Sequence, residues 1–147
     1  MVLKLILELP SPKLSPNART HYQQKAKLVR QYREHAKEEA MAAAFDAGLE
    51  SPIEVPVTQV TYWNRRKVAP DADNILSSLK AAWDGVTDSG VWEDDRVTVH
   101  LPVCRRVDKL NPRVEIRIFD GLPPNLQDLI SQVMREDCKW QATTKPS

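Results

Sequence analysis

The hydrophobic pattern changes period along the chain, from two to about 3.6 and back, and this switching limits what can be built. Residues 2–9 alternate, with Val2, Leu3, Leu5, Leu7 and Leu9 against Lys4 and Glu8. That pattern predicts a strand. Pro10, Pro12 and Pro16 punctuate residues 11–17, which read as a loop. A long helix is expected from about residue 18 to residue 45. Tyr22, Val29, Tyr32, Ala36, Ala40 and Ala43 mark its buried stripe, and Gly48 stands where it stops. Residues 55–63, rich in Val, Thr and Tyr, read as a second strand.

The second half repeats the alternation of types. Residues 64–70 form a basic loop. A helix over 74–86 shows Ile75, Leu79, Trp83 and Val86 on one face. Gly90 breaks the chain before residues 91–95. Strands are expected over 96–105 and 113–119, joined by the polar loop 106–112 as a terminal hairpin. A weaker amphipathic helix follows over 122–135. The order β-α-β-α-β-β plus a C-terminal helix predicts an α+β (α/β two-layer) fold. Its mixed β-sheet would be covered mainly on one face. With 147 residues and no linker or repeat, one domain over 1–147 is expected. Residues 122–147 would be its peripheral helix and tail.

Composition matters only when divided. The chain carries 21 basic and 20 acidic side chains, a net charge of +1. That total argues against a strongly basic nucleic-acid binder. Its distribution argues the other way. Residues 70–100 hold two basic groups (Lys80, Arg96) against Asp71, Asp73, Asp84, Asp88, Glu93, Asp94 and Asp95. The rest of the chain is net basic, and block asymmetry of this kind is informative where the sum is not. No apolar run reaches the ~18 residues of a membrane helix, so no membrane partner is expected. The opening residues lack the basic start and cleavage site of a signal peptide. Cys104 and Cys138 form no disulfide framework or zinc pattern. A cytoplasmic location with reduced thiols is expected.

The chemistry concentrates in Asp71-Ala72-Asp73-Asn74 and, about twenty residues on, Glu93-Asp94-Asp95. Asp71 and Asp73, at i and i+2 in extended backbone, would point to one side. Asp73 also stands where the N-cap of the next helix is expected. Asp95 lies at the mouth of the third strand. Three carboxylates within ~5 Å would repel unless a cation sat among them. Oxygen ligands without histidine or cysteine suit Mg²⁺, with Mn²⁺ able to substitute. The plain alternative is a helix cap and a solvated turn. A calcium loop is excluded, because Leu76 stands where its glycine is required. No GK[ST] follows Gly85 or Gly90, so a P-loop is excluded as well.

Read in full, the segment runs Asp71-Ala72-Asp73-Asn74-Ile75-Leu76-Ser77-Ser78-Leu79-Lys80-Ala81-Ala82-Trp83-Asp84-Gly85-Val86, then Gly90-Val91-Trp92-Glu93-Asp94-Asp95. It closely resembles the RusA family of Holliday junction resolvases, known from bacteria and their prophages. Leu14-Ser15-Pro16-Asn17-Ala18-Arg19 is similar to the family's start, and the resemblance covers roughly residues 1–120. It implies a homodimeric, Mg²⁺-dependent endonuclease of recombination and repair that resolves four-way DNA junctions by paired nicks. It would act in a bacterial or phage-infected cell. Asp71, Asp73 and Asp95 match the family's catalytic aspartates, and Asp94 matches a neighbouring acidic position. One departure is plain. The family prototype has a catalytic lysine four residues after the second aspartate, where this chain has Ser77; its lysine comes later, at Lys80.

Seven residues of unbroken helix turn about 700°, which would return Lys80 to the face of Asp73. The competing reading of Lys80 is an i,i+4 pair with Asp84, worth ~0.3–0.5 kcal/mol. For DNA contact, Arg19, Lys27, Arg30, Arg33 and Lys37 are the candidates on the first helix. Arg65, Arg66 and Lys67 form a second cluster just before Asp71. Such residues grip phosphates in a salt-sensitive, sequence-tolerant way. Trp63, Trp83 and Trp92 read first as core. His21, His35 and His100 share no ligand spacing. A junction-binding module with weak or no cleavage is the alternative function, left open by the shifted lysine.

Overall fold

The computed structural model describes residues 1–15, 18–19, 21–122, 125–128, 130–131 and 135. Its elements are β1 (Val2–Leu7), α1 (Tyr22–Ala47), β2 (Pro56–Asn64), α2 (Ala72–Ser78), α3 (Lys80–Ser89), β3 (Val99–His100), β4 (Cys104–Val107) and β5 (Arg113–Asp120). Short 3-10 turns cover Pro12–Leu14 and Asp95–Val97. The expected α+β class holds. Of the C-terminal helix expected over 122–135, the described residues 126–128, 130–131 and 135 are helical, while Cys138 and Trp140 lie outside the described residues.

β1 follows its sequence pattern, with Leu3, Leu5 and Leu7 buried and the residues between them exposed. It pairs antiparallel with β5, which pairs antiparallel with β2. On β5, Val114, Ile116 and Ile118 turn to the same core as Val60 and Tyr62 of β2. α1 and α3 cover that face with Tyr32, Ala36, Ala40, Trp83 and Val86. Each large side chain sealed there is worth about 1.5–3 kcal/mol of burial. Tyr32 adds a polar tether, its hydroxyl donating to the Glu8 carbonyl at 2.8 Å. Alternation sends Lys4, Trp63, Arg113, Glu115 and Arg117 to the other face.

Three expectations about order are corrected. The last two strands do not form a hairpin. β2 lies between β4 and β5, parallel to the first and antiparallel to the second. The strand expected over 96–105 is split into β3 and β4, both along the same edge of β2. Thr58 pairs with His100 and Thr61 with Cys104, so the edge strand carries one residue more than β2 over that span. Pro102 sits in this bulge, where its missing N–H costs no ladder bond. Leu101 keeps contact by donating its N–H to Thr58 at 2.8 Å.

The third correction concerns the helix expected over 74–86. It is two helices meeting at Leu79, whose φ of −91° and ψ of 6° leave the helical range. The Ser78 hydroxyl donates to the Ile75 carbonyl at 2.8 Å. A serine bonding back to the preceding turn competes with the backbone ladder and bends the helix. Leu79 itself is fully buried and anchors the bend.

Candidate active site

The bend places Lys80 at the first position of α3. Nζ of Lys80 donates to Oδ2 of Asp95 at 2.6 Å and lies 3.1 Å from Oδ1 of Asp84. The ammonium is therefore held between two carboxylates from different elements. The hydrogen bond to Asp95 holds its pKa above the usual lysine value, with Asp84 adding to the effect. The i,i+4 pair with Asp84 is thus present, and with it a second ion pair to Asp95, fifteen residues away.

Asp95 reaches Lys80 because a turn presents it. Asp94 accepts from the Arg96 backbone N–H at 2.9 Å and from the Arg96 guanidinium at 2.8 and 2.6 Å. Those bonds from Arg96 hold the Asp94 carboxyl down to about 2. Asp94 is therefore the cap of the turn that begins at Asp95. This is a local job that the acidic run Glu93-Asp94-Asp95 did not reveal.

Asp71 and Asp73 stand at the start of α2, exposed. Asp71, not Asp73, is the N-cap, and its side chain makes no cap hydrogen bond. Asp71 is extended but Asp73 lies in the first helical turn, so the two do not share an extended segment. Among the described residues, no three His, Cys, Asp or Glu side chains converge as a group that could hold a metal ion. Like charges this dense repel, and here Asp95 takes Lys80 while Asp94 takes Arg96. By chemistry the donor set still suits a hard cation, since every carboxylate in it offers oxygen alone.

His100 was missed by sequence reasoning, which found no ligand spacing for it. Its Nδ1 lies 2.6 Å from Oγ1 of Thr58, and its ring packs on Trp83 with centroids 4.9 Å apart. Trp83 in turn meets Trp92 at 6.3 Å, and Trp92 donates to Thr87 at 2.7 Å. Trp83 and Trp92 are core, as expected. This stack ties α3, which carries Lys80 and Asp84, to β3, which follows Asp95. Burial lowers the His100 pKa below its usual 6.5, against a weaker opposing pull from Asp95. The unfolded chain then takes up a proton first as pH falls, so stability is full above about 6.5 and drops below it. Changing His100→Gln should flatten the loss of urea resistance between ~pH 7 and ~pH 5. An unchanged pH slope in that variant would assign the loss to other groups.

The basic candidates separate into two sets. Arg33 is engaged, with Nε and Nη2 on the Asp88 carboxylate at 2.6 and 2.8 Å, and Lys37 also bears on Asp88. These two face α3 and serve the helix pair. Arg19, Lys27 and Arg30 are exposed, as are Arg65, Arg66 and Lys67 on the β2–α2 loop. That loop is closed by the Asn64 side chain donating to the Val68 carbonyl, and it leads directly into Asp71. Trp63 is not core. It stands on the open face with the Arg106 and Arg113 guanidiniums 5.3 and 4.6 Å from its ring centre. His21 caps α1 by accepting from the Gln23 N–H, a structural role.

Comparison with known proteins agrees with the motif. Residues 10–119 match the family model described as Endodeoxyribonuclease RusA. An uncharacterized protein of Xylella fastidiosa strain Temecula1 is 35% identical over 97 residues, 65% of this chain. The matched stretch spans 63% of that relative's length. Among the described residues, no helix is long and apolar enough to cross a membrane. The aspartate motif and the match over most of the chain converge on one conclusion: the chain belongs to the RusA endodeoxyribonuclease family.

Proposed function

We propose that the protein is a Mg²⁺-dependent, structure-specific endonuclease that resolves four-way DNA junctions by paired nicks. The observation that carries this reading is Lys80 held between Asp84 and Asp95, on the helix that follows the one Asp71 and Asp73 begin. Asp71, Asp73 and Asp95, with Asp94 adjoining, are the groups that would hold the cation. When bound, a divalent cation of this kind supplies an activated water and charge neutralisation on the phosphodiester. Lys80 contributes positive charge to the phosphate from its fixed seat. Arg65, Arg66 and Lys67 grip the strand entering the site, and Arg19, Lys27 and Arg30 extend the basic surface. Two symmetric cuts in one junction call for two copies of the site, which makes a homodimer the working form.

A second reading is a junction-binding module with little cleavage. It is favoured by the carboxylates being taken up by Lys80 and Arg96 rather than gathered. One assay separates the two. The full chain is incubated with a synthetic four-way junction or a linear duplex, in Mg²⁺ or in EDTA. Paired nicks in the junction alone, lost in EDTA and in Asp73→Asn while binding persists, are expected. Cutting that survives EDTA excludes the cation role, and tight binding without nicks selects the second reading. Affinity should fall by about 10³ between 50 and 200 mM salt for ~6 phosphate contacts. A flat salt profile would rule out the basic surface as the grip.

A further inference from the structure

Two demands meet at Asp95. A divalent cation needs its carboxylate oxygens, yet Oδ2 already accepts from the Lys80 ammonium at 2.6 Å. A hard cation and an ammonium seek the same lone pairs, and like charges a few Å apart repel, so the two compete. The ion pair is built so that one partner can leave. The Lys80 side chain is 64% exposed on a flexible stem, whereas that of Asp95 is 25% exposed and starts a fixed turn. Lys80 also has a second carboxylate on its own helix, Asp84, at 3.1 Å. An ammonium released by Asp95 therefore stays paired and moves little. Asp94 has no such exit. It accepts three bonds from Arg96, one of them from the backbone N–H that it caps. Of the two neighbouring carboxylates, Asp95 is the one that changes partner more readily.

We propose that Lys80 and the divalent cation exchange at Asp95, the cation taking the carboxylate while the ammonium passes wholly to Asp84. This exchange rests on the nuclease reading of the site and adds the step by which the site is loaded. With Lys80 on Asp95, the carboxylate is neutralised from within, and no three such groups converge among the described residues. With Lys80 on Asp84 alone, two of its three donors are left for a phosphate instead of one. Cation and phosphate thus call for the same movement. Each should favour binding of the other, because breaking the Lys80–Asp95 bond is shared between them.

The test titrates Mn²⁺ into the full chain without DNA and follows the EPR signal of the free ion. Lys80→Met should bind Mn²⁺ about fivefold more tightly than wild type, the upper end for a surface ion pair that no longer has to be broken. Lys25→Met is the control. It removes an equal charge from the groove that Lys80 also lines, and its affinity should match wild type. Equal affinity in Lys80→Met and wild type overturns the exchange. Equal gains in Lys80→Met and Lys25→Met overturn it too, since they report only the loss of positive charge. Mg²⁺ gives a second readout by NMR of the lysine ammonium groups. The Lys80 signal should shift as Mg²⁺ saturates the Asp95 carboxyl signal, and an unmoved Lys80 signal at saturation rules the exchange out. Junction nicking is scored on the same preparations. Mg²⁺-dependent nicking without tighter Mn²⁺ binding in Lys80→Met keeps the nuclease and removes the exchange. Tighter binding in that variant, with no nicking by wild type, keeps the exchange and removes the nuclease.

Discussion

On the proposed function, Lys80→Met should lower the single-turnover rate of junction nicking by about 10²–10³, the usual effect of removing one preorganised charge donor from a reacting centre. KM should stay within a few-fold, because the charge is used where negative charge grows and not in ground-state binding. The competing account makes Lys80 a surface ion pair. Its side chain is 64% exposed, and pairs of that kind are worth about 0.2–1 kcal/mol. In a chain of this length that is a melting shift of no more than ~2–4 °C. A rate within threefold of wild type, with a melting shift of that size, would therefore settle on the ion pair. Asp84→Asn supplies the control. It removes one holder of the ammonium and spares Asp95, so the rate falls less than in Lys80→Met if Lys80 itself meets the phosphate. Equal losses in the two variants would make the pairing, not the lysine, the active feature.

How far the sequence reveals this site depends on how local each feature is. The Leu3, Leu5, Leu7 alternation and the Tyr32, Ala36, Ala40 stripe were readable because burial acts on each element separately. Strand partners were not. Nothing in residues 106–112 shows that β2 will lie between β4 and β5, since that choice rests on contacts such as Val60 with Ile116, which are far apart in sequence. The bend at Leu79 left a trace, Ser77-Ser78, but two serines do not themselves show where a helix will break. The motif identified Asp71, Asp73 and Asp95 by family resemblance. Their individual jobs came only from geometry: Asp71 as cap position, Asp94 as turn cap, Asp95 as partner of Lys80. His100 was missed because its partners, Thr58 and Trp83, are distant in sequence.

Gly85→Ala should destabilise the fold by about 2 kcal/mol, the middle of the range for overpacking a close contact. Helix propensity alone predicts the reverse, a gain of up to ~1 kcal/mol for Gly→Ala in a helix interior. The sign is decided by α1. A methyl at Gly85 would run into the Arg33 carbonyl oxygen and lie 3.0 Å from both the Ala36 Cβ and the Lys37 backbone nitrogen. Two of these three obstacles are backbone, so no rotamer change relieves them. α1 would have to move off α3, loosening Ala36 and Trp83 in the core and stretching the Arg33 bonds to Asp88. A fall in melting temperature of ~4–8 °C is expected for a chain of this size. Asp88→Ala isolates the ion pair, which as a largely exposed contact should cost no more than about 1 kcal/mol. If Gly85→Ala melts at or above wild type while Asp88→Ala is lowered, the helices are held by the ion pair and not by close approach. The consequence reaches the site, because α3, which packs on α1, carries Lys80 and Asp84. A residue with no side chain thus sets the distance between the two helices on which the proposed chemistry depends.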